Sequence, residues 1–458
     1  MSSALLIIER NEQILSLLYQ ENRLVQVKVH DEKVSKNTDA DIVEHCDSTK
    51  KSDSREVREE NTSSLALGEI YIGKVKNVVP TIDAAFVEVC KGSMGFLPMK
   101  QAKNPIILNR KYDGRILAGD EILVQIEKEG IKTKEPGLTC NLSFSGKYCV
   151  LTTGKLGIGF SSKLDNKTKM VWKQKLEEWK TEDILQEEMV GMVVRTNVAG
   201  LQIDNMVSKK DTLDDDVRLE DKNTANKTDA SKKFTGEECF REEFEQLLKQ
   251  KKQVLGAVSY RTCFSCLFRP MEGYLTDIRD TYEDSFDKIV TNNEVIYTRI
   301  KEVFPALENV EFYQDSKISL EKLYSVETRL KEALDERVWL KSGAYLIIQQ
   351  TEALTVIDVN SGKIQKKNPK DDIYFEINKE AAEEIALQLK LRNLSGIIVI
   401  DFISQNTKEQ DTQLLSYLSN LVRKDSVKTN VVDMTPLGLV EVTRKKISKS
   451  LREQLIEK

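Results

Sequence analysis

Two carboxylates close apolar runs in the last third of the sequence: Asp358 in LTVIDVNSGK and Asp401 in GIIVIDF. An ionised carboxylate at the end of a buried strand is costly unless something compensates its charge. Between the two runs, residues 376–394 carry Ile377, Ala381, Ile385 and Leu389 at fourfold spacing, the pattern of an amphipathic helix. A strand–helix–strand crossover makes its strands parallel and puts their C-terminal ends on one edge of the sheet. That edge is where open α/β sheets bind ligands. Two converging carboxylates repel, and one takes up a proton unless a cation neutralises the pair. Oxygen ligands without nearby His or thiolate select Mg²⁺ or Mn²⁺. Asn360, two residues beyond Asp358, supplies a neutral amide that could orient a carboxylate or a substrate phosphate. Two strand-end carboxylates capping helices account for the same spacing, and the residues alone leave both readings open.

The elements that must position this pair form the most regular third of the chain. LKSGAYLIIQQTEALTVIDV reads as a two-strand pair, followed by the helix and by GIIVIDF, a run of the kind found in sheets covered on both faces. A helix around 407–424 and a strand near 429–434 complete an α/β layer. Upstream, ALLIIE and RLVQVKV suggest a hairpin within residues 4–30. Five short strands with Gly-marked turns between 68 and 152 suit a small closed barrel. A helix near 170–180, the strand MVGMVVRTN, a helix at 237–252 and strands around 254–268 lie between. Two stretches, 33–64 and 207–236, are polar and lack a core pattern, so they read as solvated insertions. GEIYIGKV matches GxxxxGK but lacks the following Ser or Thr and alternates like a strand, which excludes a P-loop.

Composition narrows the chemistry. The 458 residues suffice for two to four domains, and 40% hydrophobic with 31% charged residues describes a soluble globular protein. There are only two histidines, His30 and His45, so histidine triads and HExxH zinc sites are poor candidates. The seven cysteines are odd in number and scattered, as expected of reduced thiols. Cys263 and Cys266 are the one close pair and read as two buried thiols in a strand, because no second pair or His lies nearby. No apolar run approaches a bilayer-spanning length, so no membrane partner is expected. The start, MSSALLIIERNEQ, passes directly into a strand pattern and resembles neither a signal nor a transit peptide. The net charge of −5 argues against a general basic coat for nucleic acid but leaves room for local basic grooves.

LTVIDVNSGK, EINKEAAEEIALQLKLRNL and GIIVIDFI together resemble the catalytic segment of the bacterial and plastid ribonuclease E/G family. The resemblance extends to GKVKNVVPTIDAAFVEV, GFLP, VRT at 194–196 and PLGLVEVTRKKISKSL at 436–451. It implies a multidomain α/β (α+β) protein and an endoribonuclease that processes or decays single-stranded, A/U-rich RNA, leaving 5′-phosphate and 3′-hydroxyl ends. The implied order begins with a ribonuclease-H-like subdomain (1–32 and 237–305), interrupted by the insertion 33–64, an OB-fold barrel (65–152), a 5′-sensor region (153–206) and the insertion 207–236. A deoxyribonuclease-I-like catalytic layer (306–445) and a basic tail (446–458) follow.

Carried over residue by residue, Asp358 and Asp401 would hold a catalytic Mg²⁺ (or Mn²⁺) with Asn360 beside them. Phe86, Phe96 and Lys134 would contact RNA, although position alone also fits Phe86 and Phe96 as barrel core. Arg195 and Thr196 would form a pocket for a 5′-monophosphate, which a guanidinium and a hydroxyl can hold, where position alone fits an ordinary surface Arg. The family's further sensor Arg is replaced here by GIGFSSKL, offering Ser162 or Lys163. Many members carry a CPxC zinc link after the catalytic layer; no Cys follows Cys266, so neither structural zinc nor oligomerisation by that route is expected, and another homo-oligomer stays open. A Lys-rich composition, 50 Lys to 19 Arg, points to an AT-rich genome and favours the plastid stroma over a bacterial cytoplasm. Two other readings remain: a non-catalytic RNA-binding protein using only the barrel, and a metal-dependent phosphatase or deoxyribonuclease.

Overall fold

The computed structural model describes residues 3–30, 65–130, 134–201, 235–280, 286–362, 373–405 and 407–456. The polar stretches expected at 33–64 and 207–236 lie outside the described residues, apart from 235 and 236. The chain falls into two compact units, one from 1–140 together with 262–458, the other from 141–261.

Among the described residues the larger unit holds three sheets. In the first, Ala4–Arg10, Gln13–Gln20 and Arg23–His30 form an antiparallel meander. Both of its hairpins turn through two residues with positive φ, Asn11 with Glu12 and Glu21 with Asn22, the turn geometry that matches strand twist. Lys288–Thr291 and Val310–Phe312 then join in parallel beyond Ala4–Arg10.

The second sheet has six strands, of which five close into a barrel and the sixth, Cys266–Phe268, pairs onto Ile70–Val79. Ile70–Val79, Ala84–Cys90, Ser93–Pro98, Gly137–Thr139 and Glu121–Lys128 pair in that order, and the last returns to the first. Its interior is filled by Val75, Ala85, Val87, Val89, Leu97, Val124 and Leu138, every one nearly fully buried. Gly95 is required by this closure, because a Cβ there would stand 2.6 Å from Leu138.

The third sheet runs Arg337–Trp339, Tyr345–Gln350, Leu354–Asn360, Gly396–Asp401, Leu439–Arg444 and Thr429–Met434. Only the central pair, Leu354–Asn360 with Gly396–Asp401, is parallel; the crossover helix Ile373–Leu391 makes it so. That helix and Lys408–Val422 cover one face of the sheet. Ile357, Val359, Ile398, Ile400, Val440 and Val442 meet Ala381, Ile385, Leu389, Leu414 and Leu418 in one core. Each of the Val, Leu and Ile side chains contributes about 1.5–3 kcal/mol on burial. Because side chains alternate along a strand, Val356, Asp358, Asn360, Ile397 and Asp401 point to the opposite face. GIIVIDF is thus not covered on both faces as its apolar run suggested: Ile397 remains 54% exposed.

In the smaller unit, Gly157–Phe160, Gly191–Val194, Cys149–Thr152 and Ser143–Ser145 form a four-stranded sheet. Asn166–Glu178 and Gly236–Ala257 are its main helices, joined by Trp172, whose ring centroid lies 4.7 Å from that of Phe240. The latter helix opens on a capping box between Thr235 and Glu238.

Three boundaries differ from the sequence expectation. The strands at 143–145 and 149–152, assigned to the barrel, pair with each other in the smaller unit, where the second also pairs with Gly191–Val194. The helix 236–257, assigned to the ribonuclease-H-like part, is likewise in the smaller unit, and residues 254–257 are helix rather than strand. Val310–Phe312, assigned to the catalytic layer, extends the first sheet. Alternation identifies a strand but carries no information about which sheet receives it.

Candidate active site

Asp358 and Asp401 occupy the last positions of the parallel ladder and are direct register partners. Neighbouring strands lie about 5 Å apart, and register partners share a face, so the two carboxyl groups stand side by side. Asp358 is half-buried and Asp401 exposed. Burial pushes the Asp358 carboxyl above the ordinary carboxylate range, and the Asp401 charge pushes it further. A neighbouring cation would relieve both causes.

Asn360 projects from the same face two residues on, and its amide oxygen accepts the Gly362 N–H at 3.2 Å. Gly362 is in the left-handed region with φ of 63°, and a Cβ there would meet the Gly343 carbonyl oxygen at 2.8 Å. The strand end is thereby turned back on itself, and the Asn360 amide keeps two N–H donors suited to phosphate oxygen.

Sequence reasoning missed Asn378, which is fully buried in the crossover helix. Its amide donates to the Ile403 carbonyl at 2.7 Å and accepts the Ile403 N–H at 3.1 Å. This two-bond clamp fixes the chain two residues after Asp401. Its signal was present as a lone Asn in the otherwise apolar stripe of EINKEAAEEIA.

The donor set fits a hard divalent ion. Among the described residues no group of three or more His, Cys, Asp or Glu could hold a metal. Mg²⁺ keeps several waters and is commonly bound through one or two carboxylates plus substrate phosphate, so a pair of carboxylates suffices. The Cys263 and Cys266 thiols do not offer an alternative: both are half-buried, only Cys266 lies in a strand, and burial raises both pKa values away from thiolate.

In the barrel, Phe86 and Phe96 are register partners with ring centroids 5.8 Å apart in an edge-to-face arrangement. Both are half-buried and stand outside the core, which is built from their neighbours Ala85, Val87 and Leu97. The same row of the sheet continues from Asn77 through Phe86 and Phe96 to Gly137. Lys134 is exposed, and Pro136, two residues on, accepts the Phe96 N–H through its carbonyl at 2.8 Å. The structure therefore brings Phe86, Phe96 and the Lys134 segment together.

Arg195 follows the strand Gly191–Val194, which is parallel to Gly157–Phe160. The C-terminal ends of both strands lie together, so Ser162 and Lys163 flank Arg195 and Thr196, and the Ser161 N–H donates to the Val194 carbonyl at 2.9 Å. The Arg195 guanidinium donates to the Gly146 carbonyl. The turn it caps is held from the other direction by Glu243, whose carboxylate accepts the N–H groups of Lys147, Tyr148 and Cys149 at 2.5, 2.7 and 3.0 Å. Glu243 was not foreseen, since a Glu on a helix surface is unremarkable in sequence.

One arrangement imitates hydrolase chemistry without providing it. His30 lies near Ser16 at 3.2 Å and Asp277 at 2.8 Å, but both contacts involve the same ring nitrogen, Nε2. A nucleophile–base–acid relay needs its partners on opposite nitrogens, so this is a structural network.

Relatives of known kind share the chain's sequence over most of its length. It is 30% identical over 401 residues to Ribonuclease G of Salmonella typhimurium, covering 85% of this chain and 74% of that protein. The chain belongs to the ribonuclease E/G family. Residues 227–447 match that family's profile directly. Ribonuclease E of Synechocystis is 30% identical over 405 residues, 86% of this chain and 54% of that protein. Ribonuclease G of Escherichia coli K12 is 28% identical over 403 residues, 85% and 74% respectively. The chain thus spans about half the length of the ribonuclease E relatives it matches, 54% and 53%. The ribonuclease E/G profile covers Asp358, Asn360, Asn378 and Asp401, whereas the barrel lies outside it.

Proposed function

We propose that this chain is a Mg²⁺-dependent endoribonuclease acting on single-stranded RNA. The observation that carries the reading is the direct pairing of Asp358 with Asp401 on the open face of the catalytic sheet. Asp358 and Asp401 would hold the ion, with Mn²⁺ as a substitute. When bound, the ion supplies Lewis-acid stabilisation of the charge that develops on the phosphodiester and lowers the pKa of water. The Asn360 amide orients a phosphate oxygen against the carboxylates, and Asn378 keeps Asp401 in register. Cleavage leaves a 5′-phosphate and a 3′-hydroxyl.

Phe86 and Phe96 stack unpaired bases on the barrel's outer face, and Lys134 contacts the backbone. Such platforms suit single strands because every base offers a π-face. Arg195 and Thr196 receive a 5′-monophosphate, with Lys163 in place of a second guanidinium. Preference for A/U-rich transcripts follows from their lack of stable pairing. The first sheet's order, a meander extended by two parallel strands, supports a ribonuclease-H-like subdomain, and the helix-covered third sheet a deoxyribonuclease-I-like one. The lysine-rich composition supports work in a plastid stroma, where the RNA would be the organelle's own transcripts.

The test is incubation of purified protein with 5′-monophosphorylated single-stranded RNA, with and without Mg²⁺. Cleavage that needs the ion and falls at least about 100-fold in Asp358→Asn and Asp401→Asn supports the reading, since a metal's charge stabilisation is worth several kcal/mol. Equal cleavage by wild type and variants, or none by wild type, overturns it.

A further inference from the structure

The open face of the catalytic sheet carries a second group of side chains in register with the carboxylates. Trp339 is the cross-strand partner of Tyr345, and Tyr345 is the partner of Asn360. One row over, Arg337 partners Ile347, and Ile347 partners Asp358. Register partners share a face, so Arg337, Trp339 and Tyr345 stand on the surface that bears Asp358, Asn360 and Asp401.

These three side chains are packed together, with Arg337 and Trp339 exposed and Tyr345 half-buried. The Trp339 and Tyr345 ring centroids are 5.2 Å apart. The Arg337 guanidinium lies 4.8 Å from the Tyr345 ring centroid and 5.7 Å from that of Trp339. Trp339 is nevertheless 63% exposed, on an edge strand whose other face turns toward the core. A single exposed aromatic is unremarkable. An aromatic pair braced by a cation and in register with two carboxylates and an amide is a different case. Trp339 is two strands from Asn360, about 10 Å, a span that the nucleotide next to a bound phosphate can bridge.

We propose that Trp339 and Tyr345, braced by Arg337, form a base-stacking subsite for single-stranded RNA beside the carboxylate pair. This rests on the endoribonuclease reading and extends it to the side of the scissile phosphate reached from the edge strand. The occupant follows from the chemistry. An indole face takes any unpaired base, and the guanidinium offers fork-shaped donors to the adjoining phosphate. The carboxylates repel a bare anion, and this cation stands away from them at the sheet edge, so the strand's polarity of charge is matched along the row.

Binding is measured by fluorescence anisotropy in the Asp401→Asn protein with EDTA, using a labelled unstructured decamer RNA that stays uncleaved. Trp339→Ala weakens binding roughly 5- to 150-fold, the range found for loss of one base–aromatic stack. Trp339→Phe retains most of the affinity, which separates stacking from misfolding; unchanged circular dichroism provides the second control. Arg337→Gln reduces the slope of log Kd against log salt by about 0.7, one single-strand phosphate contact. RNA quenches tryptophan fluorescence in the parent protein and quenches it less in Trp339→Phe. Equal Kd for the parent and Trp339→Ala overturns the proposal. So does a Trp339→Ala change in sedimentation without a change in Kd, which would make the patch a contact between copies of the chain. Because the RNA is uncleaved here, failure of the wild type to cleave would count against the catalytic reading alone.

Discussion

Asp358 faces Asp401 across adjacent parallel strands, residue against residue and without offset. The fold therefore holds two like charges where they repel, and burial of Asp358 makes its ionisation harder still. A divalent ion held by the pair, as proposed, would remove the conflict. Mg²⁺ at one hundred times its Kd is expected to stabilise the wild-type protein by about 2.7 kcal/mol and so to raise its thermal midpoint. Asp358→Asn and Asp401→Asn lose this Mg²⁺-dependent shift while remaining folded. A differential scanning fluorimetry titration reads the outcome without any substrate.

The outer placement of Phe86 and Phe96 separates binding from stability. Phe86→Ala and Phe96→Ala should each weaken single-stranded RNA binding by about 1–3 kcal/mol with little change in thermal midpoint. Leu97→Ala, one residue along but inside the barrel, should do the reverse and cost about 2–5 kcal/mol of stability. Anisotropy and urea denaturation on the same three proteins decide it.

Arg195 both caps the 146–149 turn and stands at the proposed 5′-end pocket. Arg195→Ala should bring the cleavage rates of 5′-monophosphorylated and 5′-triphosphorylated RNA together. Arg195→Lys keeps the charge but loses the fork, and should restore only part of the discrimination. Competition between the two RNAs in one tube measures the ratio directly.

Asp277, buried on the helix Gly273–Asp280, meets the first sheet through Lys28, its ion-pair partner, and His30 at 2.8 Å. Burial alone would raise its pKa, but the Lys28 charge and the His30 contact prevail and hold it below the ordinary value. A depressed carboxyl contributes stability above its unfolded pKa of about 3.9 and loses it as pH falls through the lower folded value. Asp277→Asn should therefore destabilise the protein near pH 7, by about 1–3 kcal/mol, and the gap to wild type should close in acid. Lys28 is 42% exposed and keeps some water, which places the cost toward the low end.

Asn378→Asp exchanges an N–H donor for a carboxylate oxygen against the Ile403 carbonyl. The variant should lose about 1–3 kcal/mol of stability. It should also lower kcat more than it raises KM, because it displaces the Asp401 strand end rather than the RNA platform. Steady-state cleavage of a short fluorogenic RNA separates the two constants.

The sequence made the catalytic layer legible because period and spacing there agree. The fourfold stripe of Ile377, Ala381, Ile385 and Leu389 forces a crossover, and the crossover makes the two Asp strands parallel neighbours. Elsewhere the same signals were ambiguous. Ser143–Ser145 and Cys149–Thr152 alternate as barrel strands would, yet their partners lie in the smaller unit. A strand's sheet is chosen by long-range pairing, which no local pattern encodes. The open face of GIIVIDF was likewise invisible, since Ile397 and Ile398 are alike in sequence and differ only in which face the helices cover. Asn378 and Glu243 were missed for a third reason. Their roles are hydrogen bonds to main-chain atoms far along the chain, and those atoms look the same in every residue.

The Asn378 clamp also bears on timing. Its two hydrogen bonds are made between protein atoms alone, tying the crossover helix to the chain just beyond Asp401. Folding itself thus performs the work of bringing two anions together. A Mg²⁺ ion held there as proposed would find both carboxylates already side by side, and shedding its own water would be the event left to it. Turnover after dilution from a chelator should then start at the speed of ion dehydration, with no lag from rearrangement of the chain.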